Sequence, residues 1–297
     1  MKRPIKEFAK SIAANIFPSY RVALRNEERL ARIDVALTEA HTDSSFLRAA
    51  CFANEIHDTH TASFSEFKGC HKGQSVVVVA CGPTMKYYTQ LPGLPHIGVN
   101  KAFQNRNISL DYFFTTDYEH WNDWFEELKD YKCVKFFGQY PTGAYRDQFQ
   151  VIERLIEENQ GRRFFQGAPS EDIHLNIEYY PLMGFYSIVF QAIHFALYTR
   201  AKKILLVGCD CTADGYFDGS NQLENIDQCG VPLWLNGYTK LKAFVERFYP
   251  DVEMVSVNPV GLKGMFRDVY TENYLDEHPG TDRGACEILS LLRLDRG

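Results

Sequence analysis

Between Ser75 and Ala80 the chain reads SVVVVA, a nearly unbroken β-branched apolar run that predicts a strand buried on both faces. Short apolar runs at His96–Val99, Leu110–Thr116, Cys133–Gly138, Ile204–Val207 and Glu253–Val257 predict further strands. Apolar positions at three- and four-residue steps predict helices over Trp121–Leu128, Gln148–Glu158 and Asn236–Phe248. Gly184–Thr199 is apolar on nearly every face, as expected of a helix packed on the sheet. Strands alternating with helices imply parallel βαβ units. Apart from its helix, the stretch 139–180 reads as a polar, aromatic loop through Arg162, Arg163, His174, Tyr179 and Tyr180, long enough to serve as an acceptor-binding lid.

The first fifty residues follow a helical period. Ile5, Phe8, Ile12 and Ile16 fall on one face with Lys2, Lys6 and Lys10 between them, and Pro18 breaks the segment. A second helix is expected over Val22–Leu37 and a short one over Ser44–Ala53. Residues 54–74 are polar, His-rich and punctuated by glycine, which predicts a connector with solvated His57, His60 and His71. The expected division is a helical appendage and connector over residues 1–70 and a catalytic domain over 71–297.

The first strand runs straight into Cys81-Gly82-Pro83-Thr84. Glycine allows a tight turn and close approach of a ligand, proline suits the first helical position, and threonine can satisfy free N–H groups there. Strand, turn and helix start together offer a cradle for an anionic group, and a plain structural turn accounts for these four residues equally well. Asn100 ends the second strand, so in an open α/β sheet it would share a crevice with Cys81–Thr84.

Composition narrows the class. A hydrophobic share of 45%, with 22 Phe and 17 Tyr, supports a thick core and argues against a disordered chain. The net charge of −6 argues against general nucleic-acid binding. Residues 1–32 hold eight Lys and Arg against three Glu, an excess of +5 that leaves −11 on the remainder. That concentration favours contact of residues 1–17 with an anionic membrane surface over a merely solvated face. No apolar run reaches the ~20 residues of a spanning helix, and no signal peptide is legible. The eight cysteines form no paired C-x-x-C, so reduced, buried thiols in a cytoplasmic protein are expected.

Neither G-x-G-x-x-G nor G-x-x-x-x-G-K-[ST] is present. Asp117 and Asp210 each follow an expected strand, where ionised carboxylates can hold ribose or sugar hydroxyls; an ordinary turn aspartate is the rival reading. His120 and Tyr216 lie beyond strand ends and are the candidate proton handlers, although exposed loop residues would look the same. His194, inside the apolar helix, reads as a satisfied core histidine. No D-x-D pair and no calcium loop is found, so no metal is expected and a donor with a single phosphate suits the chain.

In this order the motifs resemble the bacterial lipooligosaccharide sialyltransferases, and in part the motility-accessory-factor glycosyltransferases and pterin-pyrophosphokinase-like proteins. They are a strand into a GP[ST] turn, a strand ending in Asn, Gly184-Phe-Tyr186, and the strand end Leu206-Val-Gly208-Cys-Asp210. The resemblance covers roughly residues 75–260. It implies a Rossmann-like GT-A variant without metal, acting on a CMP-activated ulosonic acid such as sialic acid. No further cofactor is implied. By position Gly82, Pro83, Thr84 and Asn100 match the family's donor-binding residues and Tyr216 would contact the donor phosphate, while Cys81, Asp117, Tyr186 and Asp210 complete the expected nucleotide-sugar site. A second phosphate tyrosine falls near Thr212, the first-turn asparagine is Cys81, and the family's base position falls near Leu235, which leaves His120 as the candidate base. The implied acceptor is a glycan or glycolipid precursor of the cell surface, met at the inner face of the cytoplasmic membrane. A pyrophosphokinase- or nucleotidyl-type enzyme and a non-catalytic nucleotide-binding module remain alternatives, and assembly into a homo-oligomer stays open.

Overall fold

The computed structural model describes residues 29–30, 32–33, 35–36, 50–116, 121–139, 146–167, 173–220, 230–281 and 283–296. The chain divides into two units, Met1–Ala53 and Asn54–Gly297. In the first, the described residues are helical. Residues 1–17, with the expected lipid-facing helix, lie outside the described residues.

The second unit is built on the β-branched run. Ser75–Val79 (β1) is buried at every position and sits inside an eight-stranded sheet. The others are His96–Val99 (β2), Tyr112–Thr115 (β3), Val134–Gln139 (β4), Arg162–Phe165 (β5), Lys203–Val207 (β6), Glu253–Val257 (β7) and Arg267–Val269 (β8). Their order is β5-β4-β3-β2-β1-β6-β7-β8, and every pair is parallel. The expected α/β, Rossmann-like architecture is therefore present. After β1 the chain moves to β2 on one side, and β6 later returns on the other. The carboxyl ends of β1 and β6 flank the switch point of a doubly wound sheet, where connections diverge and leave a crevice.

Helices cover both faces. Trp121–Asp130 (α2) and Arg146–Asn159 (α3) precede β4 and β5, Val189–Tyr198 (α4) precedes β6, and Gly230–Phe248 (α5) precedes β7. Every residue of α4 is buried, as its all-round apolar pattern requires. Its Phe195 packs on Phe136, and Phe136 stacks on Phe114 at a centroid distance of 4.5 Å. A fully buried phenylalanine is worth roughly 1.5–3 kcal/mol, so this aromatic layer contributes much of the core's stability.

Several expectations change. Residues 54–64 are helical (α1 in this unit) where a connector was expected. Ile56, His60 and Phe64 recur every fourth residue and are all buried, so one face of α1 packs inward. His60 is not solvated: it donates from Nδ1 to the Ile177 carbonyl and accepts at Nε2 from the Phe165 amide at 2.7 Å. Burial lowers its pKa to about 4 and keeps it neutral. The half-buried His57 meets Glu178 O, and His71 meets the Tyr112 hydroxyl. Within the expected loop 139–180, Arg162–Phe165 is a strand, and β8 follows the strand expected to be last. The helix expected from Gly184 begins at Val189. His194 is the satisfied core histidine, bonded to His174 O and to the Met183 amide. Cys51 and Cys70 are exposed, against the expectation of buried thiols, whereas Cys81 and Cys209 are buried.

Candidate functional site

The turn after β1 holds its register with β6. Ala80 N donates to Val207 O at 2.8 Å and Gly82 N to Gly208 O at 2.9 Å. A Cβ on Gly82 would lie 2.4 Å from Asp210 Oδ2 and 2.5 Å from Gly208 O, so only glycine allows this approach. The helix expected to open after the turn is a five-residue 3-10 segment, Pro83–Tyr87. Its Thr84 does not offer its amide to a ligand. Thr84 N donates to Asp210 Oδ2 at 2.8 Å, and the Thr84 hydroxyl donates to Asp210 Oδ1. Asp210 is thus a clamp across the switch point, joining the turn after β1 to the turn after β6. Burial pushes its carboxyl up to about 6, against the opposing pull of the two Thr84 hydrogen bonds.

Around this clamp lies a cavity of about 400 Å³. That is within the roughly 300–1,000 Å³ of small-molecule sites. Cys81, Gly82, Pro83, Asn100, Tyr186, Asp210 and Tyr216 all line it, whereas Thr84 supports it from behind Asp210. Asp117 and His120 lie outside the described residues. Thr116, the last described residue after β3, lines the cavity. The carboxylates after β3 and β6 do not follow adjacent strands, because β2 and β1 lie between those two.

Asn100 has a φ of +45° and accepts at Oδ1 from Thr115 Oγ1 at 2.9 Å, which leaves its Nδ2 donor to the cavity. The loop after Asp210 is pinned by Phe217 N, which donates to Cys81 O at 2.9 Å. Lys101 reaches Ser220 Oγ at 3.3 Å, pairs with Asp218 at 3.6 Å, and lies 5.4 Å from the centre of the Tyr216 ring. The cavity lining also contains residues that sequence reasoning did not single out: Gln166, Ser187, Trp234 and Tyr238. Gln166 follows the unrecognised strand β5, and nothing local marked Trp234. Leu235, near the family's base position, packs half-buried against the core and does not line the cavity.

Asp210 is the only charged side chain among the described lining residues, which include no Lys or Arg. Burial pushes the Cys81 and Cys211 thiols up to about 12 and Cys209 well above its ordinary value. Burial thus favours the protonated thiol over the thiolate at all three positions. No cluster of His, Cys, Asp and Glu suited to a metal ion occurs among the described residues. None of the described helices is long and apolar enough to cross a membrane.

No family model matches the chain, and no curated protein matches it. Among solved structures, it is similar to the sialyltransferase CstII from Campylobacter jejuni, determined in complex with the substrate analogue CMP-3FNeuAc. The TM-score is 0.39 at 12% identity, and the match covers 62% of this chain and 79% of that one. At that level the likeness carries no argument about activity.

Proposed function

We propose that the chain is a metal-independent glycosyltransferase that moves a sugar from a single-phosphate donor, a CMP-activated ulosonic acid, onto a hydroxyl of a cell-surface glycan or glycolipid precursor. The observation that supports this most is the hydrogen-bonding cavity at the switch point, with Asp210 the one charged group of its described lining. Its described lining residues offer amide and hydroxyl donors and include no basic side chain, which suits one phosphodiester better than a pyrophosphate.

In the reaction, an acceptor hydroxyl attacks the anomeric carbon of the donor. The carbon–oxygen bond to the phosphate breaks, CMP leaves, and the hydroxyl proton passes to a base. The turn at Gly82 and Pro83, its Gly82 and Thr84 amides already bonded within the protein, gives the nucleotide close backbone approach. The Nδ2 of Asn100 donates to the nucleotide, and the Tyr216 hydroxyl stabilises the charge growing on the departing phosphate. His120 takes the proton. The Asp210–Thr84 clamp keeps the turn in place. Residues 1–17 bring the enzyme to a lipid-linked acceptor at the inner face of the cytoplasmic membrane.

The test is thermal stabilisation of the full chain by CMP, CDP, UDP, GDP and ATP, each with magnesium or EDTA. A ligand bound only by the folded state raises the melting temperature according to its affinity. A rise with CMP or CDP that ignores EDTA is expected. A rise only with ATP or a diphosphate plus magnesium overturns the reading in favour of a pyrophosphokinase-type enzyme. Unchanged liposome flotation after deletion of residues 1–17 would remove the membrane role alone.

A further inference from the structure

We infer that Tyr186 and Trp234 form a stacking platform at the cavity wall for the ring of a neutral pyranoside, the acceptor sugar if the transferase reading holds. Phe185 and Tyr186 are consecutive non-glycine residues at φ +47° and +58°, a left-handed conformation that L side chains avoid. Its effect is to send two adjacent rings in opposite directions. Phe185 turns inward, 3% exposed, and meets Phe190 edge-on at 5.2 Å. Gly237 makes room for it, since a Cβ there would lie 2.8 Å from Phe185 Cβ. Tyr186 turns outward and stays 61% exposed while lining the cavity. Core packing gives no reason to hold a tyrosine ring in water on a strained backbone.

A second contact fixes the arrangement. Trp234 Nε1 donates to Tyr186 O at 3.1 Å, which ties the indole of α5 to the strained turn. Two neutral polar residues, Gln166 and Ser187, line the same cavity. Gln166 Oε1 is occupied by Gln191 Nε2 at 3.3 Å, which leaves the Gln166 amide nitrogen to the cavity. Ser187 Oγ accepts from the Val189 amide at 3.4 Å and keeps its own O–H to donate. Aromatic faces beside neutral amide and hydroxyl donors match a pyranose, whose C–H face is apolar and whose hydroxyls accept hydrogen bonds. This assigns Tyr186 to the acceptor sugar, in place of the donor contact that its motif implies.

The experiment is saturation-transfer NMR on the full chain with methyl β-galactoside, methyl β-glucoside and lactose, alongside thermal shifts with CMP. At least one sugar should show transfer to its ring C–H protons. Tyr186→Ala and Tyr186→Gly should cut that signal at least fivefold, whereas Tyr186→Phe should keep most of it. Tyr186→Gly should melt no lower than the parent chain, because glycine accepts this φ without strain, so its loss of sugar signal cannot be misfolding. Absence of sugar transfer in the parent chain, or an undiminished signal in both Tyr186→Ala and Tyr186→Gly, overturns the platform. So does a loss of the CMP shift with sugar transfer intact, which would return Tyr186 to the nucleotide. Sugar transfer that depends on Tyr186 with no response to CMP would leave the platform standing and reject the donor reading.

Discussion

The two ends of the strands carry cavities of nearly equal size, about 400 Å³ at the carboxyl edge and about 380 Å³ at the amino edge. The amino-edge cavity is lined by Lys202, Lys203, Asp251, Glu253, Arg293 and Asp295. Most of those charges satisfy one another. Lys203 pairs with Glu253 at 3.2 Å and donates to Arg293 O at 2.8 Å, and Lys202 pairs with Asp295 at 3.3 Å. Ser75 N donates to Asp295 O at 2.8 Å, so this is the seam where the C-terminal strap closes over the strand starts. The carboxyl-edge cavity is the reverse. Its described lining has one charge, neutral amide and hydroxyl groups, and left-handed backbone at Asn100, Tyr186 and Cys211. Strain and unspent hydrogen bonds mark a binding site, whereas self-paired charges mark a joint. Volume does not separate the two.

The contrast is tested most severely at Gly82. Gly82→Val would drive side-chain atoms into Asp210 and the Gly208 carbonyl. We expect a stability loss of about 1–3 kcal/mol, read as a lowered urea midpoint, together with disappearance of any nucleotide-induced thermal shift. A Gly82→Val chain that keeps the nucleotide response would remove the turn from the site. Asp210 gives the next effect, with a defined pH window. Its carboxyl titrates near 6 when folded and near its ordinary 3.8 when unfolded, so between these values the folded state holds the extra proton. Stability conferred by the protonated carboxyl is full below about pH 4 and is lost as pH rises through about 6, a difference of roughly 3 kcal/mol. Denaturant titrations at pH 4, 5, 6 and 7 should show this fall in the parent chain relative to Asp210→Asn. Parallel profiles for the two proteins would mean that the Thr84 hydrogen bonds offset burial and leave the carboxyl at its ordinary pKa.

How far the sequence carried depends on whether the signal was local. The β1 run, the glycine turn and the apolar helix α4 each declare themselves within a dozen residues. The edge strands β5 and β8 were missed because RRFF and RDV carry charge at half or more of their positions. Edge strands tolerate, and benefit from, such charge. Helix α1 was missed because its inward face includes His60, which counts as polar in a periodicity reading yet is buried with both ring nitrogens bonded. Asp210 was legible as a strand-end carboxylate, but its partner was not. Thr84 lies 126 residues away and meets it only because β1 and β6 are neighbours. Gln166 and Trp234 come from segments with no motif at all, and only the topology brings them to the cavity.

The smaller effects separate binding from stability. Asn100→Gly keeps the left-handed backbone of Asn100 available while deleting its amide. The lost contact with Thr115 should cost about 1 kcal/mol, and nucleotide affinity should fall roughly tenfold, equivalent to about 1.4 kcal/mol. At the other edge, Lys202→Ala removes one arm of a pair whose lysine side chain is 57% exposed. Exposed pairs of that kind contribute about 0–1 kcal/mol, so the melting temperature should barely move, and the nucleotide response should not move at all. If Lys202→Ala weakened nucleotide binding while Asn100→Gly did not, the assignment of the two edges would be reversed. The ligand would then sit among the charges, where phosphate would compete with Asp295 for the same lysine, and the carboxyl-edge cavity would need another explanation for its strained backbone.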